Sequence, residues 1–369
     1  MTVDCPRRDL FEAVQLAGSP SSGRSTPLPI FQNLLVEAED GKMRLIGCDG
    51  EVWVERTLPA TVSTGGSLAV QARLISDILG QLPEGDLRIE QPNGASLRLS
   101  LAASEYRVVG TASEDFPGLP EVAAGATMRI KKSDLIGMVE SVDFAVAKEN
   151  QGRPVLTGVL FQYDGEKFKT VATDTHRLAV RSEKFEGLGE PVTAVVPDRA
   201  IQVIKKLPVA DDQELTLAFG QDRLLVNGES ARLVAQLLRG DFPAYERVFP
   251  TSYTRKWLFD RESLAASLKR AVVLARESAL RVVLKSDGDH VTLSARSEGL
   301  GEGKEELQIV KEGNDLEIAF NGQYLLDALK PIQSPGVALE MSENDRPALI
   351  KPSEEGSDYV CVIMPMALM

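Results

Sequence analysis

The segment Thr170–Val180 reads TVATDTHRLAV and places Asp174, His176 and Arg177 within four residues. A carboxylate, an imidazole and a guanidinium that close together are the groups a hydrolase or transferase would use for acid-base chemistry. The same string also reads as a turn, with Asp174 and Thr175 bending the chain, His176 and Arg177 closing it, and Leu178 opening the next strand. Elsewhere the chain is poor in reactive groups. Its two histidines, His176 and His290, are far apart and form no His-x-x-x-His or His-x-His pair. Cys5, Cys48 and Cys361 are widely separated, make no Cys-x-x-Cys, and read as reduced thiols. GLGEGKEE (Gly299–Glu306) has one residue too few between Gly299 and Gly303 for a phosphate loop, and Glu305 where a magnesium-binding Ser or Thr belongs. It reads instead as an exposed loop. No catalytic residue, metal or cofactor is expected. The tail YVCVIMPMALM sets Met364, Met366 and Met369 around Pro365. Those methionines either fill gaps beside a last strand or form an adaptable apolar surface for a peptide.

The elements that carry these residues repeat. A helix-like pattern of apolar residues occurs as Leu10, Phe11, Val14, Ala17, as Leu135, Ile136, Val139, Val142, and as Leu264, Ala265, Leu268, Ala271. A second helical segment occurs as Leu74, Ile75, Ile78, as Ala200, Ile201, Ile204, and as Tyr324, Leu325, Ala328, followed each time by a proline (Pro83, Pro208, Pro331) that ends it. First helices are expected from Arg7, Lys131 and Arg261, and second helices from Gln71, Pro197 and Asn321. Alternating β-branched runs such as KMRLIGC, LVEAED, FKTVATD, ELTLAF and HVTLSA surround turn pairs Asp40-Gly41, Asp164-Gly165 and Asp287-Gly288. The junction strings EDFPGLP (114–120) and GDFPAYERVFP (240–250) are themselves copies. The expectation is an α+β fold of three similar domains, 1–125, 126–253 and 254–369, each with two one-sided amphipathic helices against an antiparallel sheet. Three similar units in one chain form an arc more readily than a single catalytic pocket. The copy of TVATDTHRLAV in the first third, LIGCDGEVWVE, keeps the acid as Asp49 but lacks the His and Arg, so the chemistry at 174–178 belongs to the middle domain alone.

Hydrophobic residues make up 43% and charged residues 26%, an ordinary globular composition that excludes a wholly disordered chain. No apolar run approaches a membrane span, and the first residues lack the apolar core of a signal peptide, so a cytoplasmic location is expected. The net charge of −13 argues against nucleic acid only if charge is evenly spread. It is not. The six helical segments 6–18, 71–82, 131–145, 197–207, 260–275 and 321–330 hold 12 basic and 10 acidic residues, and the rest of the chain holds 29 and 44.

TPLPIFQNLL (Thr26–Leu35), TVATDTHRLAV, DFPAYERV with its VFP exit, FNGQYLLDAL (Phe320–Leu329) and YVCVIMPM, in this order, resemble the bacterial DNA sliding clamp, the beta subunit of DNA polymerase III. The resemblance runs end to end. It implies three clamp-fold domains per chain, sheets outside, two helices per domain facing a central hole, and a head-to-tail homodimeric ring around duplex DNA. It also implies a non-catalytic processivity factor for replication and DNA repair, whose partners are double-stranded DNA, the polymerase III alpha subunit, other polymerases, the clamp loader and repair proteins.

By position, Arg24, Arg73 and Asn150 match family residues that contact DNA, and Arg199, Lys205, Lys206, Lys269 and Arg270 are lining charges from the helix reading. Asp198 departs from a base common in the family. Contacts of this kind address phosphates rather than bases, and a weak field suits sliding. The family's partner-peptide pocket carries over onto Arg153, Leu156, Thr173, His176, Arg177, Leu178, Pro243, Arg247, Val248, Asn321, Tyr324, Met364, Pro365 and Met366. There His176, Arg177 and Tyr324 would orient polar groups of the peptide between apolar walls. Thr175 replaces a common Gly, Ala367 a common Arg, and Met369 extends the tail, so a shifted peptide preference is expected. Ring closure should join the edge strand near Tyr106 and Val108 to the third domain near Val273 and Leu274.

Overall fold

A computed structural model describes residues 1–21, 28–123, 125–148, 152–185, 190–250, 252–354, 356 and 358–368. The repeated helices are present in each copy: α1 (Arg7–Ala17), α2 (Ala72–Gln81), α3 (Lys132–Glu140), α4 (Asp198–Ile204), α5 (Arg261–Ala275) and α6 (Gly322–Leu329). Pro197 precedes α4 as its cap rather than opening its first turn. α1 shows why the pattern works. Leu10, Ala13, Val14 and Ala17 are buried at helical spacing, while Arg8, Asp9, Glu12 and Gln15 face outward. In α2 the expected stripe is offset: Ile75 and Leu79 are buried, but Leu74 is exposed.

The strands build three antiparallel sheets of 13, 9 and 4 strands. Two pairings explain how the repeats are joined. Ala231–Gln236 pairs with Val52–Pro59, Ala231 opposite Arg56, which carries one sheet from the first third of the chain into the second. Arg177–Lys184 pairs with Tyr359–Ile363, Arg177 opposite Ile363, which does the same for the second and last thirds. The middle third is thus divided between its neighbours. The chain forms two compact units, one of Met1–Leu135 with Val196–Leu238, the other of Ile136–Val195 with Arg239–Met369. Within the first unit a core of Leu34, Leu45, Leu68, Val70, Leu79 and Leu99 lies under α1 and α2.

Turn chemistry follows the sequence closely at Asp40-Gly41, whose φ values of 50° and 76° suit a two-residue hairpin. Of GLGEGKEE only Gly299 and Leu300 lie in a turn. Residues Gly301–Gln308 form a strand paired with His290–Ser297, Gly301 opposite Ser297, at the end of the four-stranded sheet. Its glycines and charges follow from edge position, where exposed side chains guard an open backbone. A Cβ at Gly303 would stand 2.8 Å from Leu274 Cδ1, the end of a flexible side chain that would have to shift. No helix among the described residues is long and apolar enough to cross a membrane.

Candidate partner-binding site

The loop joining strands Lys167–Thr173 and Arg177–Lys184 is held by its own side chains. Asp174 Oδ1 accepts the amide N–H groups of His176 and Arg177, both at 3.0 Å. Thr173 Oγ1 donates to the Arg177 carbonyl at 2.7 Å and accepts from the Thr175 N–H at 3.2 Å. The corresponding loops of the other copies place Gly50 at φ +93° and Gly299 at φ +78°, and here Thr175 adopts φ +75°. A β-branched residue in this left-handed region is strained.

The loop turns its two functional side chains in opposite directions. His176 points outward, and its ring lies nearly parallel to Tyr324 on α6, with centroids 6.5 Å apart at 27°. Arg177 turns inward and is 8% exposed. Its Nε donates to Asp174 Oδ2 at 3.1 Å, Nη1 to Asp327 Oδ2 at 2.7 Å, and Nη2 to the Phe144 carbonyl. The guanidinium carbon also stands 4.2 Å from the Tyr324 ring centre and 5.2 Å from that of Phe144. The expectation that Arg177 orients a peptide is therefore corrected: its charge is already matched inside the protein. Burial raises the Asp327 pKa, but bonds from Lys330, Arg177 and Gln323 outweigh it and leave the carboxyl below its usual range. Burial, with Asp174 nearby, raises the Tyr324 hydroxyl and keeps it a neutral donor.

The C-terminal tail completes the surface. After strand Tyr359–Ile363, the Met364 N–H donates to the His176 carbonyl at 2.9 Å and the Met366 N–H to the Ala319 carbonyl at 2.8 Å. This carries Met364, Pro365 and Met366 from the His176 loop to the strand leading into Asn321. Met364 is exposed and the other two are half-buried, so they are surface and not core filler. Asn321 caps α6, its Oδ1 accepting from the N–H groups of Gln323 at 2.9 Å and Tyr324 at 3.3 Å. Leu178 is buried opposite Val362, and Leu156 is buried in the turn Pro154–Thr157. Pro243 is half-buried, and Arg153, Arg247 and Val248 are exposed. Among the described residues no hydrogen bond or ion pair ties these four to the His176 cluster. Met369 lies outside the described residues. Sequence reasoning missed Asp327, whose only signal was an acid on the inward side of a short amphipathic helix.

The basic candidates divide. Arg73 on α2 is exposed and stands 3.9 Å from Asp77. Lys206 and Lys269 are exposed, and Lys205 is half-buried at the end of α4. Arg199 is bound to Asp49 and Glu51, which occupy the loop equivalent to 174–176. Arg270 donates to Glu305 at 2.7 Å; that bond raises the arginine and lowers the glutamate. Arg24 and Asn150 lie outside the described residues. Of the edge residues, Tyr106 is 43% exposed, but Val108 is 1% exposed and its side chain belongs to the core, so it offers an interface only its backbone. Val109, 75% exposed, holds the outward place. Strand Ser104–Thr111 pairs along Ser96–Leu101 on one side and meets Gly66–Gln71 only through Gly110 and Thr111, so the other edge of 104–109 is open among the described residues. Val273 is 59% exposed and Leu274 half-buried.

A cleft of about 570 Å³ elsewhere is lined mainly by charged side chains, Glu37, Glu39, Asp40, Lys42 and Arg44, with Ala38 and Gly65 to Ser67. Among the described residues no group of three or more His, Cys, Asp or Glu could hold a metal ion.

Three repeated α+β units joined through shared antiparallel sheets define a clamp-fold architecture. Profiles of the DNA polymerase III beta subunit match the chain throughout: the N-terminal domain over residues 1–120, the central domain over 129–244 and the C-terminal domain over 246–367. The chain is 30% identical to the beta sliding clamp of Staphylococcus aureus (strain Mu50 / ATCC 700699), over 92% of this chain and 93% of that protein. It is also 30% identical to that of Lactococcus lactis subsp. lactis (strain IL1403), over 93% of each. Among solved structures it matches the Thermotoga maritima beta subunit at 26% identity and TM-score 0.91, covering 100% of both chains. It matches the Pseudomonas aeruginosa clamp bound to griselimycin at 28% identity and TM-score 0.92, again covering 100% of both. The chain belongs to the bacterial beta sliding clamp family, the non-catalytic processivity factors of DNA polymerase III.

Proposed function

We propose that this chain, with domain divisions near residues 125 and 253, dimerises head to tail around duplex DNA in the cytoplasm and tethers DNA polymerases by a short apolar peptide. The observation that carries the peptide site is the tail: its backbone bonds to His176 and Ala319 hold an exposed Met364 beside the His176–Tyr324 stack. That supports a surface with aromatic and thioether walls and few charges, the chemistry an apolar peptide needs. The partners are the polymerase III alpha subunit, other polymerases, the clamp loader and repair proteins, all competing for one site. Griselimycin, bound by the Pseudomonas aeruginosa clamp, is the probe for it.

Duplex DNA is held without base reading. Lys206 and Lys269 supply outward charge, Arg73 adds to it from beside Asp77, Lys205, Arg24 and Asn150 are further candidates from the family resemblance, and Arg199 and Arg270 are bound to carboxylates of the chain itself. Closure joins the open edge at Tyr106 and Val109 to the third domain at Val273 and Leu274, pairing exposed apolar residues with exposed strand edges. Removing residues 364–369 should abolish griselimycin binding by calorimetry and leave the dimer mass in light scattering unchanged. Undiminished binding would refute the peptide site.

A further inference from the structure

The proposed peptide site is backed by a buried ion pair, Arg177 with Asp327. We infer that Arg177 and Asp327 are positioning residues: their pair holds the strained 173–177 loop against α6 and so fixes the spacing of His176 and Tyr324. The inference rests on the peptide-site reading above. Asp327 accepts from residues on both sides of that surface. Its Oδ2 takes Arg177 from the loop, and its Oδ1 takes Gln323 at 2.9 Å and Lys330 at 2.7 Å from the ends of its own helix. Arg177 in turn reaches the Phe144 carbonyl and lies against the Tyr324 ring, so one guanidinium touches the loop, the 3-10 turn Asp143–Ala145 and α6. A group with three protein acceptors and 8% exposure has little left to offer a peptide.

Thr175 gives the pair something to resist. In the other copies the same backbone conformation falls on Gly50 and Gly299, where it costs little. In this loop a threonine adopts it at φ +75°, beside the residue whose ring stacks on Tyr324. Without the Asp327 anchor the loop would relax toward negative φ, and His176 would leave the stack. A carbon side chain at 175 is thus compatible with a formed site only while the pair is intact.

The test uses the full chain and griselimycin titrated by calorimetry. Asp327→Asn should weaken binding about tenfold, within the coupling expected of residues in one network. Thr175→Gly alone should change it by less than about twofold, and the double variant should recover most of the loss, because glycine rests in the left-handed region unaided. Arg177→Gln breaks the pair from the other side and should show the same loss and the same rescue if Asp327→Asn folds poorly, whereas Arg177→Lys, which keeps a cation against Asp327, should retain more of the affinity. Affinity in Asp327→Asn within about twofold of the parent, or no rescue by glycine, would overturn the inference, since these residues share one network. Met364→Glu separates the two readings. If it leaves griselimycin binding intact, the site itself is misplaced; if it abolishes binding while Asp327→Asn does not, only the positioning role fails.

Discussion

At the residue scale the decisive feature is which way neighbouring side chains turn. Asp174, His176 and Arg177 look like a reactive cluster in sequence, yet the first closes a turn, the second faces outward and the third is buried against an acid 150 positions away. The Asp327 carboxyl has a folded pKa below its unfolded value because its bonds from Lys330, Arg177 and Gln323 outweigh the opposing effect of burial. Its contribution to stability is therefore fully present above the ordinary carboxylate range, near pH ~4, and is lost as pH falls through the folded pKa. Urea unfolding should show Asp327→Asn destabilised by about 2 kcal/mol at pH 7, with the gap closing in acid. A gap that widens below pH ~4 would contradict this sign. Cys361 belongs to the same neighbourhood and is equally closed. Burial pushes its thiol up to about 12, and Cys5 and Cys48 likewise to about 12. An aromatic disulfide reagent should label none of the three in the native protein at pH 8 and all three after unfolding. The sequence could not reveal the Arg177–Asp327 pair, since no local spacing links the two residues.

At the scale of elements, the periodic helices were legible and the quiet edges were not. The i, i+3, i+4 pattern located the starts of all six helices to within one residue, because each buries one stripe on a sheet, but it overran the ends of α3 and α4, which stop at Glu140 and Ile204. The Gly301–Gln308 strand escaped because edge pairing depends on backbone groups, while its glycines and acids carry loop statistics. Val108 shows a second limit. Two adjacent valines give no clue to which faces the core, and the pairing of Val108 with Leu97 decides it. Helix α6 carries both Tyr324 and Asp327, so its start matters to the site. Asn321→Ala removes the cap from Gln323 and Tyr324, and should lower stability by about 1 kcal/mol in thermal or urea melts. A loss well under that would mean the cap is replaced by solvent.

At the scale of the molecule, the threefold repeat was visible in the spacing of apolar residues and prolines, but the way sheets run through the middle repeat was not. That repeat donates strands to both compact units, so within the first unit it shares a hydrogen-bonded ladder with the first third of the chain, and within the second unit one with the last third. The proposed dimer extends the same logic to a second chain, from the open edge of 104–109 to that of 301–308. Val109→Asp places a charge at a bare apolar edge, and sedimentation should show the dimer shifted to monomer at micromolar concentration while the monomer stays folded. The most direct measurement of the central claim is retention on DNA. After loading by a clamp loader, the protein should stay on closed circular duplex through a high-salt wash and leave once a nuclease cuts the circle. Equal retention on cut and closed DNA, or loss of both in salt, would mean that the protein holds DNA by contact and not by enclosure.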